Sequence, residues 1–122
     1  MKSIVLDHTI VPSRDKERAA QFYARILALT CEAAVGPFTT VRVEDTALDF
    51  DDRWPEGFGV HHYAFRVSDE RFDAIFARVQ AEGIPYGSLP WSRTDGQLNR
   101  EGGGRRFYFE DPDGHVLEAF TR

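Results

Sequence analysis

Cysteine is almost absent from this chain. The single Cys31 cannot close an internal disulfide and has no Cys or His beside it, so it reads as a small buried or partly buried thiol and not as a metal or redox motif. No apolar run approaches the roughly 20 residues of a membrane helix. The opening Met1-Lys2-Ser3-Ile4-Val5-Leu6-Asp7 meets an acid before a signal-like stretch develops, so no membrane partner is expected and the chain reads as cytoplasmic. A basic block is also lacking: 15 Lys+Arg against 20 Asp+Glu leave a formal charge of −5, without the footprint of a nucleic-acid binder. What is present suffices for a core. With 122 residues, 42% hydrophobic and 13% aromatic, the composition predicts one compact domain over 1–122.

The chain reads as the same event twice. Leu6-Asp7-His8-Thr9-Ile10-Val11 and Val60-His61-His62-Tyr63-Ala64-Phe65 are each followed by a helical stripe: Ala19, Phe22, Tyr23, Ile26 and Leu27 in the first, and Phe72, Ile75, Phe76 and Val79 in the second. The first strand-to-helix loop is expected to contain Pro12; Ser13 or Asp15 can cap the first helix and Ser68 or Asp69 the second, and Gly83 is a natural stop for the latter. The apolar period then changes from 3.6 to 2. This change predicts strands at about Cys31–Val35, Phe38–Glu44, Ala47–Asp51, Pro85–Leu89, Arg106–Glu110 and His115–Thr121. The expected order is β-α-β-β-β in each of two modules, about 1–57 and 58–122, which at this size need each other for stability. The polar run from Pro90 to Gly104 reads either as a lid hinged on Gly102-Gly103-Gly104 or as a solvent-exposed hairpin tip.

Strand parity gathers the candidate chemistry. Tyr63, Phe65 and Val67 suit a helix-packed face, which leaves His62, Ala64 and Arg66 opposite, with His61 among the aromatics. By the same reading Leu117, Ala119, Phe107 and Phe109 are core, while Glu118, Phe120, Arg106 and Tyr108 share the other surface. His8 alone would more often be structural. At comparable points on strands of the two modules, however, His8, His62 and Glu118 make two imidazoles and one carboxylate, a set that binds a divalent first-row metal and leaves positions open. Asp49 stands in the first module as Glu118 stands in the second and reads as a fourth oxygen ligand, a general base or a strand-end charge. Arg66 and Arg106 could hold a carboxylate or phosphate bidentately, though either could instead pair with Asp49 or Glu110 or extend into solvent. His115 follows a Gly turn and reads as a turn or strand-start residue.

Leu6-Asp7-His8, Phe22-Tyr23, His62-Tyr63-Ala64-Phe65 and the run Tyr108-Phe109-Glu110-Asp111-Pro112-Asp113-Gly114-His115-Val116-Leu117-Glu118 together resemble the vicinal oxygen chelate superfamily. That superfamily embraces glyoxalase I, extradiol dioxygenases, fosfomycin-modifying thiol transferases and bleomycin-resistance proteins. The resemblance covers nearly the whole chain. It implies an α+β fold in which paired β-α-β-β-β modules curl their mixed sheets into a U-shaped cleft with helices outside, and a homodimer acting on a small molecule. His8, His62 and Glu118 match the metal-ligand positions, and Asp49 matches the fourth ligand that glyoxalase-like members carry, usually as Glu. The implied chemistry is a divalent ion (Fe, Mn, Ni, Co or Zn) that chelates two adjacent substrate oxygens and, as a Lewis acid, stabilises the charge that develops. Glu118, Asp49 and Tyr108 are the catalytic candidates, with Tyr108 placed to hydrogen-bond an oxyanion. Arg66, Arg106, Phe120 and Trp91 are the substrate-binding candidates. A glyoxalase-like lyase or isomerase is expected, the alternatives being a dioxygenase, a thiol transferase or a metal-free binding protein. Fosfomycin transfer is discounted, because Ile10 stands where those enzymes have Thr and Gly102-Gly103-Gly104 replaces their cation loop.

Overall fold

The computed structural model describes residues 2–122, with the side chain of Val35 left aside. The chain divides into two compact units, 1–59 and 60–122. The first runs β1 (His8–Pro12), α1 (Lys16–Leu27), β2 (Thr30–Val35), β3 (Phe38–Val43) and β4 (Thr46–Asp51). The second runs β5 (His62–Arg66), α2 (Asp69–Ala81), β6 (Tyr86–Gly87), β7 (Arg106–Glu110) and β8 (Val116–Phe120). Each unit is one four-stranded mixed sheet, ordered β1-β4-β3-β2 and β5-β8-β7-β6, in which the first and last strands pair parallel. The architecture is therefore α+β, β-α-β-β-β twice, as the change of period predicts. No helix among the described residues is long and apolar enough to cross a membrane.

Local chemistry places the helices. Asp15 is the N-cap of α1 and its side chain accepts from Arg18 N–H, while Ser68 does the same for α2 through Arg71 N–H. The alternatives Ser13 and Asp69 are not the caps: Ser13 is buried and donates its N–H to Asp51 O. Gly83, at φ +67°, takes the left-handed conformation just past Glu82 that ends α2. The apolar stripes turn inward as the spacing requires: Ala19, Phe22, Tyr23, Ile26 and Leu27 are buried in α1, and Phe72, Ile75 and Val79 in α2, while Phe76 is half-buried against Phe107. Ser68→Ala is expected to lower stability by about 1 kcal/mol, the usual cost of a lost N-cap, read as the shift in urea midpoint at unchanged slope.

Three sequence expectations are corrected. Pro12 ends β1 instead of lying in the loop, in register with Asp51; β1 is an edge strand, where a missing N–H breaks no ladder. The strand expected at Pro85–Leu89 shrinks to Tyr86–Gly87, because the N–H and hydroxyl of Ser88 both turn to Asp95 and leave the ladder. Cys31 is exposed, since β2 lies at the outer edge of its sheet. His115 stands directly before β8, where a turn or strand-start residue belongs, and is wholly buried.

The run from Pro90 to Gly104 is braced. Asp95 accepts from Ser88, Ser92 and Gln97, Asn99 pairs with Arg106 across a bridge, and Arg93 reaches Glu110 at 3.1 Å. The loop folds back so closely on β6 that a Cβ at Gly87 would collide with Ser92 O.

Candidate functional site

In the second unit the site is built on β5, β8 and β7. Register sets Ala64 and Tyr108 on either side of Glu118, so residues at odd spacing on these strands turn to the helix and the even set turns away. Phe107, Phe109, Leu117 and Ala119 accordingly have no exposed surface, while His62, Arg106, Tyr108, Glu118 and Phe120 share the opposite face. Glu118 is the centre. Only 7% exposed, it lies with Oε1 2.9 Å from His62 Nε2 and Oε2 3.1 Å from Arg106 Nη1. The Arg106 guanidinium lies 4.6 Å over the Phe120 ring and also donates to Arg122 O. Tyr108 packs edge-on to His62, with ring centroids 6.0 Å apart. Burial pushes the Tyr108 phenol above its ordinary value, with Arg106 pulling the other way and Glu118 adding to the rise. It is thus a neutral O–H donor at physiological pH.

The first unit repeats the frame with different chemistry. His8 pairs in register with Ala47, and Ile10 with Asp49, as His62 pairs with Val116 and Ala64 with Glu118. Here the carboxylate is one methylene shorter, and Thr40 Oγ1 donates to Asp49 Oδ1 at 2.7 Å. Exposed His8 places Nδ1 2.9 Å from Asp7 Oδ2, a hydrogen bond that raises the imidazole above its ordinary value. Donation from Nδ1 leaves Nε2 as the basic nitrogen. A ligating histidine is usually oriented by a carboxylate in this way.

The structure thus gathers four of the residues chosen by parity in the second unit, His62, Glu118, Arg106 and Tyr108, and sets Phe120 beside them. Arg66 is exposed, without a hydrogen-bond or ion-pair partner among the described residues, whereas Arg106 is committed to Glu118. Trp91 is 80% exposed on the braced loop. Within neither unit, among the described residues, do three or more His, Cys, Asp or Glu side chains gather as they would around one ion. Sequence reasoning missed Asp7 and Thr40 as partners of His8 and Asp49. Asp7 could have been found as the acid adjoining a candidate ligand.

Two β-α-β-β-β units, each with a histidine on its first strand and a carboxylate on its last, define a protein of glyoxalase-like fold. The chain belongs to the Glyoxalase/Bleomycin resistance protein/Dioxygenase superfamily, whose family model matches residues 5–119. Among solved structures it is similar to the oxidase ChaP-H2, with 42% identity, 99% of this chain and 95% of that one covered, and a TM-score of 0.94. It is also similar to the oxidase ChaP-H1, with 42% identity, 98% and 97% covered, and a TM-score of 0.92. Among curated relatives, glutathione transferase FosA of Serratia marcescens is 29% identical over 119 residues, covering 93% of this chain and 77% of the relative.

Proposed function

We propose that the two units act as one domain, and that the protein is a metal-dependent oxidase that holds a small molecule through two adjacent oxygens. The observation that carries this reading is the His62–Glu118 pair. With metal bonds of about 2.0–2.2 Å, two ligands at right angles on one ion lie about 3 Å apart, and His62 Nε2 and Glu118 Oε1 are 2.9 Å apart. Their donor set also fits, an imidazole nitrogen beside a buried carboxylate, with His8 Nε2 as the third ligand. Two His and one carboxylate with open positions suit non-haem iron and oxygen chemistry, which accords with the oxidases that this chain resembles and shifts the emphasis from the lyase reading. The lyase remains the outcome to be distinguished.

The chain's own residues divide the work. Arg106 holds Oε2 of Glu118 and so leaves Oε1 to ligate, a positioning role in place of the substrate clamp expected for it. Tyr108 keeps its proton and offers it to a substrate oxygen that gains charge. Asp49, held by Thr40, is the proton acceptor, and Arg66 meets an anionic group of the substrate with Phe120 and Trp91 as apolar contacts. A bound divalent ion supplies Lewis acidity and, as iron, electron exchange with dioxygen. We take the protein to be cytoplasmic and its working form to be a homodimer, the exposed Ile4 and Leu6 offering apolar surface to a second copy.

The test is oxygen uptake. Protein reconstituted anaerobically with Fe(II), and separately with Mn, Co, Ni or Zn, is given a panel of catechols and of α-ketoaldehyde–thiol adducts. Iron-dependent oxygen consumption with the vicinal diols is expected. Turnover of the thiol adducts without oxygen consumption would replace the oxidase with the lyase.

A further inference from the structure

The Asp111-Pro112-Asp113-Gly114-His115 turn does more than connect β7 to β8. Asp111 Oδ1 accepts from Asp113 N–H at 2.8 Å and from His115 N–H at 2.9 Å, and Gly114 N–H donates to Asp111 O at 3.1 Å, with Gly114 at φ +85°. The turn is thereby closed on itself. From it the fully buried His115 side chain reaches across to β5, and its Nδ1 accepts the backbone N–H of His61 at 2.8 Å. The tautomer follows: an accepting Nδ1 puts the ring hydrogen on Nε2.

That bond stands where a ladder bond should be. Val116 N–H donates to His61 O at 2.9 Å, the first bond of the parallel β5–β8 pair. The slanted pattern of a parallel ladder would carry the neighbouring His61 N–H to the carbonyl of Gly114. Gly114, however, is the last residue of the turn and its left-handed backbone is spent on closing it. The imidazole of His115 replaces the missing carbonyl. The first unit has the matching bond, Ala47 N–H to Asp7 O at 2.8 Å, yet Thr46 stands where His115 would be.

The consequence is register. Because β5 lies at the edge of its sheet and its parallel partner β8 is far off in sequence, no tight turn sets their alignment. A slip of one residue would send His62 or Glu118 to the helix side. We propose that His115 is a positioning residue that locks the start of β5 to β8 through the His61 amide, and so holds His62 against Glu118. The proposal rests on the metal-site reading only for its functional consequence; the clamp itself is a statement about the His61 amide.

The experiment compares wild type with His115→Leu, which fills the space without an acceptor, and His115→Asn, whose Oδ1 lies where Nδ1 did. Amide hydrogen exchange at His61, followed by NMR, and Co(II) affinity are measured on each. The wild-type His61 amide is expected to be protected. His115→Leu should lose that protection and bind Co(II) about 10- to 100-fold more weakly, the range for partners that orient ligands. His115→Asn should restore both to within about threefold, since it keeps the acceptor. An unprotected His61 amide in wild type overturns the proposal even if His115→Leu does not fold. So does a His115→Asn variant as impaired as His115→Leu, or a folded His115→Leu variant indistinguishable from wild type. Failure of the metal reading has a separate signature: His62→Ala binds Co(II) like wild type, while the His61 amide still depends on residue 115.

Discussion

Glutamine in place of Glu118 is expected to abolish metal-dependent turnover and to weaken Co(II) binding by more than the roughly 100-fold that loss of an orienting partner costs. The substitution keeps the shape of the side chain and removes its charge. Glu118 is 7% exposed and serves two partners at once, with His62 at 2.9 Å and Arg106 at 3.1 Å. In the glutamine variant the amide Oε1 still accepts from Arg106 or His62, but the carboxylate that neutralises the guanidinium is gone. A stability loss of about 1.5–3 kcal/mol should accompany the lost affinity, the range for hydrogen bonds to charged groups. Titration with Co(II), followed by its visible absorption, gives the affinity, and a urea melt gives the stability. A Glu118→Gln protein that bound Co(II) as tightly as wild type would remove this residue from the ligand set and the oxidase proposal with it.

Phe107→Ala should produce the largest loss of stability at a single position, about 3–5 kcal/mol, as is usual when a buried Phe is cut back to Ala. For a domain of this size that corresponds to a fall in Tm of more than about 10 °C. Phe107 has no exposed surface and is the hub of an aromatic cluster, with Phe76 at 5.2 Å, Phe72 at 5.3 Å, Phe109 at 5.4 Å and Tyr86 at 6.0 Å between ring centroids. Removing it empties the space between α2 and β7, and the rings around it can close only part of the gap. Because Phe107 lies on the opposite face of β7 from Arg106 and Tyr108, the folded variant should keep its Co(II) affinity at temperatures well below its melt. Thermal melts by circular dichroism and low-temperature Co(II) titration separate the two effects. A Tm within about 3 °C of wild type would mean that the cluster repacks around the missing ring.

The same parity argument underlies both predictions, and much of it can be read from the amino acids alone. Alternation along Arg106–Glu110 and Val116–Phe120 requires Phe107, Phe109, Leu117 and Ala119 to share one face and Arg106, Tyr108, Glu118 and Phe120 the other, because the side-chain period of a strand is 2 whatever surrounds it. The helical stripes and the glycine stop of α2 are legible for an equally local reason, the 3.6-residue period and the αL conformation that Gly83 adopts at no steric cost. The internal repeat follows from these periods occurring twice in one order. Each of these features depends on residues within a few positions of one another.

Partner choice is a different matter, and only the tertiary structure decided it. Parity left Arg106 open to a substrate, to Asp49 or to Glu110; the register that sets Tyr108 opposite Glu118 brings Arg106 onto the Glu118 carboxylate instead. Asp49 looked equivalent to Glu118, yet Thr40 across the strand pair takes up its Oδ1. Ser88 could have continued a strand, but Asp95 seven residues away competes for its N–H and wins. His115 could be read as a strand-start residue but not as an acceptor, because its hydrogen-bond partner lies 54 positions earlier in the chain. Local periodicity therefore determined which residues share a face, since covalent geometry alone sets it. Which of them touch was decided by strand register and competition among polar groups, which arise only when distant segments pack together and each buried donor and acceptor must find a partner.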